Sequence, residues 1–154
     1  MEVKFPKASA LCGRVSCVVS MEQGGTNPRI AQTLYVKDLR IPTLIGVNSN
    51  EREKKQAVVI SVSIDRITDS AMDGYGEVEK HVLEASESAT FETLEALAEE
   101  VAKNISIFTT KHARNSDITV RIAKPLAVPA ADAPYVEITR PTSKYEYLEG
   151  TRIE

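Results

Sequence analysis

Between Gln56 and Arg66 the chain alternates well: Val58, Ile60, Val62 and Ile64 fall on one side, Ser61, Ser63 and Asp65 on the other. Successive side chains of an extended chain point to opposite faces, so this pattern fits a half-buried antiparallel strand. It returns at Ile118, Val120 and Ile122, separated by Thr119 and Arg121, and again from Tyr135 to Arg140 (YVEITR). Leu34 to Ile41 (LYVKDLRI) reads as a further short strand that ends at Pro42. Between the second and third of these strands the period changes. From Tyr75 to Ser88, Val78, Val82, Ala85 and Ala89 recur at steps near four, a narrow apolar stripe. From Phe91 to about Phe108, Leu94, Leu97, Ala98, Val101, Ala102, Ile105 and Phe108 share one helical face, with Thr90 as the expected N-cap. The order strand, strand, helix, helix, strand, strand predicts an α+β fold, a four-stranded antiparallel sheet with both helices on one face. Such a sheet has two open edges, which assembly of several copies into a closed barrel would remove.

The 154 residues suffice for one core. We divide them into a leader or linker (1–32), one domain (33–141) and a charged tail from Thr142 to Glu154 expected to fray. Leu11, Val15, Val18 and Val19 in the first part show no sustained period, and Gly24-Gly25 and Asn27-Pro28 punctuate its end. That part is poor in acid and holds Lys4, Lys7 and Arg14, so mitochondrial targeting stands as an alternative to a cytoplasmic location. A net charge of -3 with scattered Lys and Arg argues against a nucleic-acid partner. No apolar run approaches the ~18 residues that cross a bilayer, so no membrane is expected. Cys12 and Cys17 lie in the first part and read as reduced thiols. His81 and His112 are the only histidines and have no cysteine near them, which leaves a zinc or iron site without ligands.

Four polar residues are candidates for chemistry. Lys124 continues the row Ile118, Val120, Ile122, which puts it on the apolar face just before Pro125 ends the strand. Such a lysine either snorkels at the sheet rim or sits partly desolvated in a pocket, where it is suited to proton transfer. Glu95, early in the second helix, offers two acceptor oxygens to a planar N–H pair, or is a solvated first-turn acid. Glu51 lies in the loop between the first two strands and is, alone, a loop acid. Tyr75 opens the first helix and offers a phenol, or acts as a hydrophobic staple.

In their order, these blocks resemble the dihydroneopterin aldolase family. LRIPTLIGVNSNERE followed by QAVVISVSID is similar to its first hairpin, YGEV to its first-helix motif, TFETLEALAEEVAKNI to its second helix, and VRIAKPLAVPAADAPYVEITR to its closing hairpin. The resemblance spans Leu34 to Arg140. It implies a pterin substrate, no metal and no cofactor, and a homo-oligomer (a tetrameric ring or an octamer) with sites between subunits. By the same resemblance Glu95 anchors the pterin ring and Leu94 contacts it through its backbone. Lys124 organises water and proton transfer, Glu51 supports Lys124, and Tyr75 reaches the site of an adjacent subunit. Val47 and Gln56 match lesser pocket positions. The implied reaction is retro-aldol cleavage of 7,8-dihydroneopterin in folate biosynthesis. Alternatives are epimerisation of dihydroneopterin or its triphosphate, and a non-catalytic partner domain of a folate-synthesis enzyme.

Three segments depart from the family pattern. Ile67 to Gly74 is several residues short, and Ala133-Pro134-Tyr135-Val136 puts a proline and a tyrosine where they would crowd a pterin. Asn48-Ser49-Asn50 stands where an aromatic stretch often precedes the loop glutamate.

Overall fold

In the computed structural model the alternating segment becomes the strand Gln56–Ile64 (β4), whose Val58, Ile60, Val62 and Ile64 are all buried. The structure describes residues 2–5, 14–22, 29–71, 73–113, 115–125, 127 and 133–145. Around β4 run Arg29–Thr43 (β3), Asp117–Ala123 (β5) and Tyr135–Pro141 (β6), with Glu2–Phe5 (β1) and Arg14–Glu22 (β2) before them. All pair antiparallel with their chain neighbours in the order β1-β2-β3-β4-β5-β6. Helices Tyr75–Glu87 (α1) and Leu94–His112 (α2) lie between β4 and β5. The expected four-stranded α+β arrangement is therefore present as β3 to β6.

What differs is the start of the chain. Residues 2–5 and 14–22, expected to be leader, add two strands to the β3 side, and β3 begins before position 33. β2 pairs with β3 from Arg14↔Lys37 to Glu22↔Arg29, so the division at 32/33 falls inside a strand. The expected punctuation at Gly24-Gly25 and Asn27-Pro28, and Cys12, lie outside the described residues.

β3 also runs past Pro42 to Thr43. Among the described residues the pairing with β2 stops at Lys37, so Pro42 pairs only with Ala57 of β4 there. Between Val36 and Leu39 the register with β4 shifts, with Asp38 at φ 61 and its N–H donating to Ser61 Oγ at 3.1 Å. That bulge reverses the parity of the strand. Leu34 and Val36 before it and Leu39 and Ile41 after it all end up buried.

Both helices cover this buried face. α1 packs on α2 and β3, and α2 on β5 and β6. Val78, Val82 and Ala85 meet Leu97, Ala98, Val101, Ala102, Ile105 and Phe108 in one core with the strand residues. The N-cap of α2 is Thr93, whose Oγ1 accepts from the Ala96 N–H at 3.2 Å. Thr90 does not serve, because Phe91 is drawn into a bridge with Ile45: Phe91 N–H donates to Leu44 O and Gly46 N–H to Phe91 O, both at 3.0 Å.

The tail does not fray at its start. Tyr145 is buried and its phenol donates to Glu99 Oε2 at 3.0 Å, beside Lys144 Nζ at 2.9 Å and Arg140 Nε on the other oxygen at 2.6 Å. Residues 146–154 lie outside the described part. No helix among the described residues is long and apolar enough to cross a membrane.

Candidate active site

The Ile45–Phe91 bridge fixes the geometry of the site, because it brings the loop after β3 against the entry to α2. Where β5 ends beside them, a shallow cavity of about 230 Å³ opens. It is lined by Ile45, Gly46, Val47 and Glu51 from the loop, Glu92 to Glu95 from the helix entry, and Lys124. Five residues singled out in the sequence (Val47, Glu51, Leu94, Glu95, Lys124) thus meet at one place.

Lys124 follows β5 directly, and its N–H donates to Pro134 O at 3.0 Å, which holds the backbone at the strand's end. Its side chain is only 12% exposed and Nζ lies 2.9 Å from Glu51 Oε2. This is the partly desolvated alternative, not the snorkelling one. The Lys124 hydrogen bond, with a second from Asn48, holds the Glu51 carboxyl below the usual 4.5 against the opposing effect of burial. Glu51 is therefore a carboxylate through the neutral range.

Glu51 belongs to a 3-10 turn, Ser49–Arg52, and the loop around it is tied down from both ends. Gln56 Nε2 donates to Ile45 O at 2.9 Å and Glu51 O at 2.8 Å. Arg52 donates to Gly46 O at 2.5 Å and Val47 O at 2.8 Å. Gln56 thus sits behind the loop and supports it instead of lining the cavity. Val47, which lines the cavity, is 71% exposed, a large apolar side chain open to solvent. Glu95 is exposed in the first turn of α2, where the helix's free N–H groups favour a carboxylate.

Tyr75 is elsewhere. It opens α1, packs half-buried against the core and does not line the cavity. The short connection before it lies across the end of α2: Thr68 N–H and Oγ1 both bond His112 O, at 3.2 and 3.0 Å. Gly74 lies so close to the Phe108 ring that a Cβ would come within 2.5 Å of it. Neither Pro134 nor Tyr135 lines the cavity. Tyr135 stands on the open face of the sheet with the Arg121 guanidinium 3.9 Å from its ring centroid. Among the described residues, no group of three His, Cys, Asp or Glu side chains could hold a metal ion.

The sequence reading missed the supports: Arg52, the close approach of Gly46, and Asn48, whose Nδ2 donates to Glu51 Oε1 at 2.8 Å. Asn48, three residues before the glutamate, was visible only as a departure from the family pattern.

Residues 34–139 match the family model for dihydroneopterin aldolase. Among solved structures, a dihydroneopterin aldolase assignment from Vibrio cholerae is similar at TM-score 0.60 and 31% identity, over 71% of this chain and 96% of that one. The Escherichia coli dihydroneopterin aldolase, solved with neopterin, matches at TM-score 0.60 and 26% identity, over 70% and 97%. Folic acid synthesis proteins of Schizosaccharomyces pombe (31% identical over 108 residues) and Dictyostelium discoideum (36% over 118) each match 70% of this chain. The match spans only 14% and 17% of their own length. Together with the ββααββ core and its cavity, the family match over residues 34–139 means that the chain belongs to the dihydroneopterin aldolase family.

Proposed function

We propose that the cavity binds 7,8-dihydroneopterin and cleaves it by a retro-aldol reaction to 6-hydroxymethyl-7,8-dihydropterin and glycolaldehyde. The observation that carries this reading is the half-buried Lys124–Glu51 pair in one cavity with Glu95. A pterin presents an amino group and a ring N–H side by side, and the two oxygens of Glu95 suit that pair. Leu94 and Val47 supply apolar contact to the ring. With the ring oriented, the trihydroxypropyl side chain extends toward Lys124.

The C2′ hydroxyl gives up its proton and the C1′–C2′ bond breaks. The bonding pair moves into the ring's C6=N5 imine, and N5 takes a proton. Glycolaldehyde leaves with C2′ and C3′. Protonation of C1′, with loss of the N5 proton, restores the imine as the hydroxymethyl product. Because the imine already accepts the electrons, neither a Schiff base to lysine nor a metal is required. Lys124, Tyr75 and bound water carry the protons, a contribution of about 10²–10⁴-fold in such reactions. Lys124 is kept in place by Glu51. Tyr75, remote from its own chain's cavity, acts in that of a second copy, so the working form is a homo-oligomer. Re-addition of glycolaldehyde from the opposite face would give the C2′ epimer, so epimerisation is a side branch of the same intermediate.

Incubation with 7,8-dihydroneopterin tests this reading, with pterins and glycolaldehyde separated chromatographically. Equimolar hydroxymethyldihydropterin and glycolaldehyde are expected. Pterin binding without either product would make the domain a binding module and end the aldolase assignment.

A further inference from the structure

Glu51 is held on both sides. Oε2 accepts from Lys124, while Oε1 accepts from the Asn48 amide at 2.8 Å. Asn48 occupies the N-cap of the Ser49–Arg52 turn with extended backbone, φ -83 and ψ 145, yet its side chain caps no backbone N–H. An asparagine at that position ordinarily accepts a hydrogen bond from the turn. Here its donor end is committed to the carboxylate. The backbone beneath cannot yield, because Arg52 holds the carbonyls of Gly46 and Val47, and Gln56 those of Ile45 and Glu51. A carboxylate tied at one oxygen can turn about its last bond; tied at both, it cannot. Lysine is a point charge on a flexible four-carbon stem, so the direction of its ammonium is set by the acceptor it meets.

We propose that Asn48 is a positioning residue of the site: it locks the Glu51 carboxylate so that Lys124 has a single place to present its ammonium. The inference rests on the aldolase reading for its effect on rate, but not for its effect on Glu51. A segment that departs from the family pattern then has a task in this chain, supplying by an amide a second restraint on the loop glutamate.

Two variants test it. Asn48→Asp keeps size and shape but replaces the donor with a second carboxylate, and Asn48→Ala removes the side chain. With 7,8-dihydroneopterin, kcat is expected to fall about tenfold in the alanine variant, the scale of one hydrogen bond to a charged group, and further in the aspartate variant. KM should stay within about twofold, since the ring is held at Glu95. The acid limb of the kcat–pH profile should move to higher pH in both, and more in Asn48→Asp. An alanine variant with wild-type kcat and an unmoved acid limb would overturn the proposal. Carbon-13 NMR titration of the Glu51 carboxyl gives a readout that needs no turnover. Its midpoint is expected to rise in both variants, and an unmoved midpoint overturns the proposal even if the aldolase reading stands. A wild type without turnover whose Glu51 midpoint rises on substitution would sink the aldolase reading and leave Asn48's hold on Glu51 supported.

Discussion

Lys124 was legible because parity is a physical constraint: three apolar residues at even spacing fix which face the next even position takes. The structure adds the partner, Glu51, 73 residues away in sequence. Gly46 was not legible in this way, since its importance depends on where the Glu51 side chain ends up. A Cβ on Gly46 would press on Glu51 Cβ and lie 2.6 Å from Oε2. The Gly46 backbone is held by Arg52 and Phe91, so the glutamate must give way. Gly46→Ala is therefore expected to lower kcat about 10²-fold, the cost of an ångström-scale misplacement at a reacting centre, while the protein remains folded by circular dichroism. Wild-type kcat in that variant would show that the Glu51–Lys124 alignment is not critical. The depressed carboxyl of Glu51 also sets a pH dependence. Glu51 stays ionised above the ordinary glutamate range and loses its charge as pH falls through the lowered value. The acid limb of kcat should accordingly lie below about 4.5, the ordinary carboxyl value, and an acid limb well above it would assign that limb to another group.

At the scale of elements, the sequence carried period well and tertiary competition poorly. Thr90 and Thr93 are both plausible caps in one dimension; the Phe91 bridge decides for Thr93. Val15, Cys17, Val19 and Met21 do alternate with Ser16, Ser20 and Glu22, but Val18 breaks the pattern and hid β2. The bulge at Asp38 likewise breaks the alternation of β3 while preserving which residues are buried. The tail was misjudged because its charges looked solvated, whereas Lys144, with Tyr145 and Arg140, surrounds Glu99 of α2. Partial burial pushes the Glu99 carboxyl up, but these three donors outweigh it and bring it down to about 2. A group whose pKa is lowered on folding contributes stability that is fully present above its unfolded value. That stability is lost as pH falls toward the folded one. Discounted for the exposure of this carboxylate, it amounts to about 1–2 kcal/mol. The melting temperature of Glu99→Gln should thus lie below that of the wild type near neutrality, and the gap should close between about pH 5 and pH 2. A gap independent of pH would mean that the cluster contributes by packing alone.

At the scale of the whole molecule, one chain brings Glu51, Glu95 and Lys124 to one cavity and leaves Tyr75 half-buried against the core outside it. Tyr75 stood out in the sequence as a phenol at the start of a helix, but the pattern could not place it in another subunit; only the family resemblance implied that. A shared site makes a prediction that no single-chain site shares. Tyr75→Phe and Lys124→Ala, each impaired alone, should regain activity when unfolded and refolded together, because mixed oligomers contain cavities with both native groups. Activity no higher than the sum of the separate variants would confine the site to one chain. The claim on which all of this depends is that Lys124 carries protons in a carbon–carbon cleavage. Its most direct test is glycolaldehyde release from 7,8-dihydroneopterin by wild type and Lys124→Ala, with chelator present throughout. Steady release by the wild type is expected, with a loss of about 10²-fold or more in the variant while the pterin is still bound. Equal release by both proteins would contradict it.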